Sequence, residues 1–261
     1  MAQSGKFELL TRTGFAARGI LYGLIGWLAL KSGRTEDGEG ILSWLDSGGG
    51  RILLAAMGVG FLFYAAWRLA EAWLDTSGHG ADAKGMAVRA GGAVSGLIHL
   101  FLGVAALLHA IGDDNGGGGG GNSAQQGAAA VLSVPGGWLL VVAGAGVLAA
   151  TGLFQIARAW TTGFMNSLAP SGAARTAICW LGRAGYIARG IVFLVMALFL
   201  VRAGLEERSS EAGGVGEALS SLPSNLQMAV AAGFLLFGLF SLAEARYRRI
   251  DSRIGDKLTP G

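Results

Sequence analysis

Six segments of the chain are apolar over roughly 20 residues each, which is the length needed to cross the hydrocarbon core of a bilayer. Backbone N–H and C=O groups find no water in lipid, so each segment must form a helix. The composition agrees, because 52% of the residues are hydrophobic and only 14% are charged, whereas about a quarter are charged in soluble domains. The sequence therefore predicts an all-α polytopic membrane protein with spans at Gly14 to Leu30, Ile52 to Trp73, Ala90 to Ile111, Gly137 to Trp160, Gly185 to Val201 and Leu226 to Ala245.

The six spans are three tandem copies of one two-helix unit. The odd-numbered spans open alike, with RTGFAARGI from Arg12, RAGGAVSGL from Arg89 and RAGYIARGI from Arg183. The even-numbered spans end alike, with WRLAEAW, FQIARAW and FSLAEAR. We place the repeats at 9–75, 86–161 and 180–250 of a single membrane domain. The recurrence also indicates that the first span is a retained helix and not a cleaved signal peptide.

The repeats are predicted to be parallel. Each contains an even number of spans, so successive repeats enter the bilayer from the same side and are related by an axis along the membrane normal. This predicts pseudo-threefold symmetry. The space around the symmetry axis is then either an open cavity or filled by packed side chains. Of the 20 Lys and Arg residues, fifteen fall on the side of the two termini and five on the other. The positive-inside rule therefore predicts that both termini are cytoplasmic.

The connections on the far side carry two further features. Each repeat has a short apolar stretch between its spans, ILSWLD, AVLSVP or EALSSLP, which predicts an interfacial helix of one or two turns. The run from Gly112 to Asn122 contains six consecutive glycines, and such a run is typical of a flexible tether. It lacks the Lys and Ser/Thr of a phosphate-binding loop.

The repeated R-x-G-x-x-x-[R/S]-G opening and the terminal EARYRRI from Glu244 resemble a bacterial integral-membrane family known as domain of unknown function 1206. The resemblance extends from about Lys6 to Ile250. It implies a multi-pass protein of the bacterial cytoplasmic (inner) membrane and supplies no activity. The second repeat departs from the pattern, because Ser95 and Arg158 stand where the other repeats have arginine and glutamate.

Seven polar side chains near the ends of the spans form a candidate intramembrane cluster. A charge at this depth is rare, and it is normally paired or faces a cavity. Two pairings are open: within a repeat, Arg18 with Glu71 and Arg189 with Glu244, or between neighbouring repeats, with Arg158 near an unmatched glutamate. The matched loss of arginine and glutamate in repeat two favours the first. The seven residues are Arg18, Arg68, Glu71, His99, Arg158, Arg189 and Glu244.

Two interpretations of this cluster compete. Ion pairs that fix helix register would make the chain a non-enzymatic structural or regulatory protein, which acts in the lipid bilayer through a membrane-protein partner or a second copy of itself. A vestibule between the repeats would make it a channel or transporter for a small ion or solute. His99 would then be a ligand contact or proton relay, although we favour a neutral histidine that is hydrogen-bonded inside the bundle. Catalytic motifs such as H-E-x-x-H and G-x-S-x-G are absent, so we expect no enzyme.

Cofactors and nucleic acid are not expected. A single cysteine, Cys179, and three histidines supply no Cys-based metal site and no evident haem ligand pair. The basic residues cluster at the ends of spans instead of forming one tract, so the net charge of +3 does not indicate a nucleic-acid surface.

Overall fold

The computed structural model describes residues 2–32, 51–75, 78, 80–112 and 123–249. Their regular elements are helical, with 3-10 turns at Gly163–Ser167 and Ser209–Glu211 in the connections. Six of the α-helices are long and apolar enough to cross a membrane, as predicted. The α-helices are α1 (Ala2–Ser32), α2 (Arg51–Leu74), α3 (Ala83–Ala110), α4 (Ser123–Leu132), α5 (Gly137–Thr161), α6 (Gly172–Leu205), α7 (Val215–Ser220) and α8 (Ser224–Tyr247).

The spanning helices differ from the predicted segments mainly in length. Helix α6 has 34 residues and measures about 51 Å at 1.5 Å per residue, which exceeds the roughly 30 Å of hydrocarbon. Its first turns, GAARTAICWL, precede the predicted start at Gly185. Hydropathy marks where a helix meets water, whereas alanine-rich sequence continues the helix beyond that point.

Short helices follow the first spans of repeats two and three, where they were predicted. Helix α4 lies before α5, and α7 lies before α8. Ala218 and Leu219 of α7 are fully buried in the main hydrophobic core, so this helix packs into the bundle instead of lying on its surface. The corresponding stretch of repeat one, residues 41–46, falls outside the described residues, as does the glycine run from 113 to 122.

The spanning helices pack in one continuous order, α3–α2–α1–α8–α6–α5. Three of these contacts join the second span of one repeat to the first span of another: α2 with α3, α5 with α6, and α8 with α1. The contacts within repeats one and three, α1 with α2 and α6 with α8, are smaller. Among the described residues, the two spans of repeat two, α3 and α5, make no comparable contact, so the ring of helices is open there.

The second glycine of each opening motif brings neighbouring repeats together. A Cβ on Gly19 would lie 2.9 Å from the carbonyl oxygen of Gly238, and one on Gly190 would lie 2.8 Å from that of Gly152. A Cβ on Gly96 would lie 3.4 Å from the carbonyl oxygen of Ala65. Only glycine permits so close an approach of two helix backbones. The three contacts between repeats therefore share one helix register.

The first glycine of the motif serves the contact inside a repeat. A Cβ on Gly14 would meet Tyr64 of α2 at 2.6 Å, and one on Gly185 would meet Phe237 of α8 at 2.5 Å. At the matching Gly91 of α3, nothing described lies within 4 Å. The seam between α3 and α5 therefore lacks the crossing that closes the other two repeats.

Apolar side chains fill the space enclosed by the bundle. The main core joins residues of α1, α2, α3, α6, α7 and α8, and it includes the fully buried Leu54, Phe61 and Phe234. Interiors of this kind pack as densely as organic crystals. In the described ranges, the region between the repeats is thus a packed core.

Candidate functional site

Two of the three arginines that open the motif, Arg89 and Arg12, cap the carboxyl ends of α2 and α8, whereas Nε of the third, Arg183, is buried without a hydrogen-bond partner among the described residues. Arg89 of α3 donates from Nε to the carbonyl oxygen of Ala72 at 2.8 Å, and from Nη2 to that of Trp73 at 3.0 Å. Arg12 of α1 donates from Nη1 to Arg246 O of α8 at 2.6 Å. The last carbonyls of a helix have no intrahelical donors and carry the negative end of its dipole. These contacts place the beginnings of α1 and α3 beside the ends of α8 and α2.

Arg18 is buried between α1, α2 and α8, and all three of its nitrogens donate. Nη1 donates to the hydroxyl of Tyr64 at 2.7 Å, Nε donates to Ser241 Oγ at 3.3 Å, and Nη2 forms an ion pair with Glu244 Oε2. A buried guanidinium is stable only when its protons are satisfied. Each nitrogen of this guanidinium donates one hydrogen bond within the bundle, so the side chain does not need to reach the membrane surface.

Aromatic rings enclose the same guanidinium. Its Cζ lies 4.9 Å from the ring centroid of Phe15 and 5.2 Å from those of Tyr64 and Phe237. Each ring face is electronegative and attracts the cation. The rings also exclude water, which strengthens the ion pair with Glu244.

Glu244 is shared by two arginines. Oε1 accepts from Arg248 Nη1 at 3.1 Å, while Oε2 accepts from Arg18. The predicted pairing within a repeat, Arg18 with Glu71, is therefore wrong. Glu71 and Glu244 occupy equivalent positions in their repeats, and α8 is the helix that Gly19 brings closest to Arg18.

At the equivalent crossing of α2 and α3, the glutamate pairs with an arginine of its own helix. Glu71 Oε2 accepts from Arg68 Nη1, one turn earlier on the same helix, at 2.6 Å. Ser95 stands at the register position that Arg18 has in α1. Loss of the arginine from α3 is thus offset by an arginine on α2.

The third crossing, between α5 and α6, brings two cations to one register. Arg189 corresponds to Arg18 and Arg158 to Glu244, so like charges stand where the other crossing has an ion pair. Arg158 lies over the ring of Tyr186 at 5.4 Å, and Arg189 lies over Phe237 at 4.7 Å. In the part of the chain that the structure describes, neither arginine has a carboxylate partner. The predicted pairing of Arg189 with Glu244 is also wrong, and no glutamate lies at the α5–α6 crossing.

His99 is buried in α3 against the ring of Tyr64, whose centroid lies 4.5 Å away. Its Nδ1 donates to the carbonyl oxygen of Ser95 at 2.7 Å. This bond fixes the ring on its own helix, and Phe61 packs against it at 5.8 Å. The structure thus joins His99, through Tyr64, to the Arg18 site.

The comparisons with known proteins agree with the repeat. The family model described as Domain of Unknown Function (DUF1206) matches three segments, 13–75, 90–162 and 184–248. The chain belongs to the DUF1206 family. It is also 30% identical over 253 residues to the uncharacterized protein YxxB of Bacillus subtilis, a match that covers 92% of this chain and 90% of that protein. No solved structure is significantly similar.

Each matched DUF1206 segment contains one two-helix repeat. It includes the Arg18 position of the first span, which is serine in repeat two, and the Glu244 position near the end of the second span, which is arginine in repeat two. Sequence reasoning missed four members of these sites: Tyr64, Ser241, Arg248 and Gln155. Two of them had a detectable signal, since Ser241 and Gln155 precede the key charged residue by three positions and lie on the same helix face. Tyr64 had none, because a tyrosine in an apolar span is usually part of the core.

The sites differ in the chemistry that they permit. Around Arg18, the guanidinium is paired with Glu244 and enclosed by aromatic rings, so this site binds helices to one another. The α5–α6 crossing offers donors and positive charge without an acceptor, so it suits an anion. His99 packs against Tyr64, which accepts a hydrogen bond from Arg18, so both residues belong to the Arg18 site.

Proposed function

We propose that this DUF1206 protein is a non-enzymatic structural or regulatory protein of the bacterial cytoplasmic membrane, with both termini in the cytoplasm. It acts through contacts with a membrane-protein partner or a second copy of the chain. The observation that carries this proposal is the Arg18 site. Its intramembrane ion pair joins the first repeat to the third, and aromatic rings of the described residues enclose the guanidinium.

The packed interior supports the same proposal. A channel or transporter needs polar groups along a pathway, whereas fully buried Leu54, Phe61 and Phe234 occupy the centre of the bundle. A structural role requires accessible lateral faces instead. Such a face exists on α3, where Leu97, Phe101 and other large apolar residues are exposed.

Flux measurement tests the absence of transport. The purified protein is reconstituted in vesicles carrying gradients of protons, potassium, chloride or phosphate, with protein-free vesicles as the control. We expect identical dissipation rates in both. A protein-dependent flux that disappears in Arg189→Gln would refute the proposal.

Cross-linking tests the partner. In a cysteine-free background, Leu97→Cys on the exposed face of α3 is compared with Ala145→Cys, which is buried in α5. A bifunctional thiol-reactive reagent with a photoactivated arm is applied to native membranes. We expect a discrete protein adduct from position 97 and none from 145. Labelling of lipid alone from position 97 would contradict a protein contact at this face of α3.

A channel or transporter for a small anion is the second candidate. The observation that favours it is the α5–α6 crossing, where Arg158 and Arg189 lack carboxylate partners among the described residues. The flux assay above distinguishes the two functions, since only this candidate predicts dissipation of a chloride or phosphate gradient.

A further inference from the structure

We propose that the crossing of α5 and α6 is an anion site for a phosphate group, held by Arg158, Arg189 and Gln155. The group belongs either to an anionic phospholipid or to a soluble phosphate. The inference goes beyond the proposed function, because the site follows from the local chemistry whatever the protein does.

The first observation is a set of buried donors without acceptors. Nε of Arg189 and Nε2 of Gln155 are both inaccessible to water, and neither has a hydrogen-bond partner among the described residues. Gln155 itself is 6% exposed. An unsatisfied buried donor is costly and rare in native structures. A group with several acceptor oxygens would satisfy both.

The second observation is the equivalence of the three crossings. Gly190 meets Gly152 as Gly19 meets Gly238. One turn beyond Gly238, Ser241 accepts from Arg18 Nε, and Glu244 follows one turn later. One turn beyond Gly152 is Gln155, and Arg158 follows. Glu244 and Arg158 therefore occupy equivalent positions at their crossings. Glu244 offers a carboxylate to Arg18, whereas Arg158 places a second guanidinium near the position of Arg189.

The third observation is the charge of the surrounding sequence. From Asn115 to Leu205 the chain contains five arginines and no aspartate or glutamate. Glu244 of the neighbouring α8 is already bound by Arg18 and Arg248. The guanidinium of Arg189 is turned onto the rings of Tyr22 and Phe237, as expected for two like charges that share a crossing. An anion between α5 and α6 would replace the missing carboxylate.

Phosphate fits this site for two reasons. Arginine binds phosphate oxygens through two parallel hydrogen bonds, and a second arginine with an amide donor completes a tetrahedral set. Arg158 also lies three residues from the end of α5, at the level where phospholipid headgroups meet a span. Leu153 and Phe154 of α5 are exposed and would contact the acyl chains of such a lipid.

The test measures the thermal unfolding midpoint of the full chain in a zwitterionic detergent. Sodium phosphate is compared with sodium chloride at equal ionic strength, and dihexanoyl phosphatidylglycerol is compared with dihexanoyl phosphatidylcholine. A rise with both phosphate and phosphatidylglycerol indicates a site open to soluble phosphate. A rise with phosphatidylglycerol alone indicates a lipid headgroup. No rise above the chloride and phosphatidylcholine controls overturns the proposal.

The decisive variant is Arg158→Glu, which gives this crossing the same residue pair as Arg18 and Glu244. We expect it to fold, and to weaken the apparent affinity for the active probe by about ten- to a hundredfold. Arg175→Glu makes the same charge change at an exposed position of α6 and should leave the affinity unchanged. Equal losses in both variants would show a nonspecific charge effect and overturn the proposal. Gln155→Ser, which keeps the net charge, should weaken binding even if Arg158→Glu does not fold, and unchanged binding there would also overturn it.

Discussion

Replacing Glu244 by glutamine removes a charge that holds two arginines and changes little else in shape. The Glu244 side chain is 2% exposed and that of Arg18 is 8% exposed, so neither charge is relieved by water. Truncating one partner of a buried ion pair costs roughly 3–5 kcal/mol. We expect Glu244→Gln to lower the free energy of unfolding by that amount.

The measurement is reversible unfolding in mixed micelles of a mild detergent and sodium dodecyl sulfate, followed by tryptophan fluorescence. The matched control is Glu206→Gln, which breaks the exposed ion pair with Arg208 and should cost less than about 1 kcal/mol. Equal costs for the two variants would refute the assignment of Arg18 and Glu244 as the joint between the repeats.

A double-mutant cycle isolates the interaction. Arg18→Gln also loses bonds to Tyr64 and Ser241, so its own cost does not measure the ion pair. If the pair carries the effect, the double variant Arg18→Gln/Glu244→Gln is less destabilised than the sum of the single variants by at least about 1 kcal/mol. Additivity within about 0.5 kcal/mol would contradict direct coupling.

Three further predictions concern the motif and the topology. Gly19→Leu should destabilise by about 1–3 kcal/mol because its Cβ would meet the α8 backbone, whereas Gly91→Leu, with nothing described within 4 Å, should stay within about 0.5 kcal/mol; equal effects in unfolding experiments would contradict the open seam. Arg89→Gln should accelerate amide hydrogen exchange in the last turn of α2, by about 1 kcal/mol of local stability, and unchanged exchange there would rule out capping. In a cysteine-free background, Ser210→Cys should react with an impermeant maleimide in spheroplasts and Asn166→Cys should not; the reverse would place the termini outside.

The spans and the repeat were predictable because both depend on short stretches of sequence. Hydropathy over about 20 residues marks a span, and the recurring motif from Arg12 marks the repeat. Pairing was not predictable in the same way, because sequence gives the depth of a charge but not the neighbour that its helix face meets. Glu71 and Glu244 occupy equivalent positions in their repeats, and backbone contact at Gly19 decides between them.

The departures of repeat two from the pattern were visible in the sequence, but their meaning was not. Ser95 and Arg158 indicated that a complete ring of charges is absent. The two substitutions lie at different crossings. Ser95 is on α3, at its crossing with α2, and Arg158 is on α5, at its crossing with α6. That separation depends on which helices touch, which is a tertiary property that no local window contains.

The joint between α1 and α8 also constrains biosynthesis. Arg18 precedes its partner Glu244 by 226 residues, so at synthesis rates of about 5–20 residues per second the first span waits roughly ten seconds or longer for the last. During that interval Arg18 lacks its bonds to Ser241 and Glu244 of α8, and of its three side-chain acceptors only the hydroxyl of Tyr64 on α2 has been made. The ion pair between the first and third repeats therefore forms only after the last helix has been synthesised.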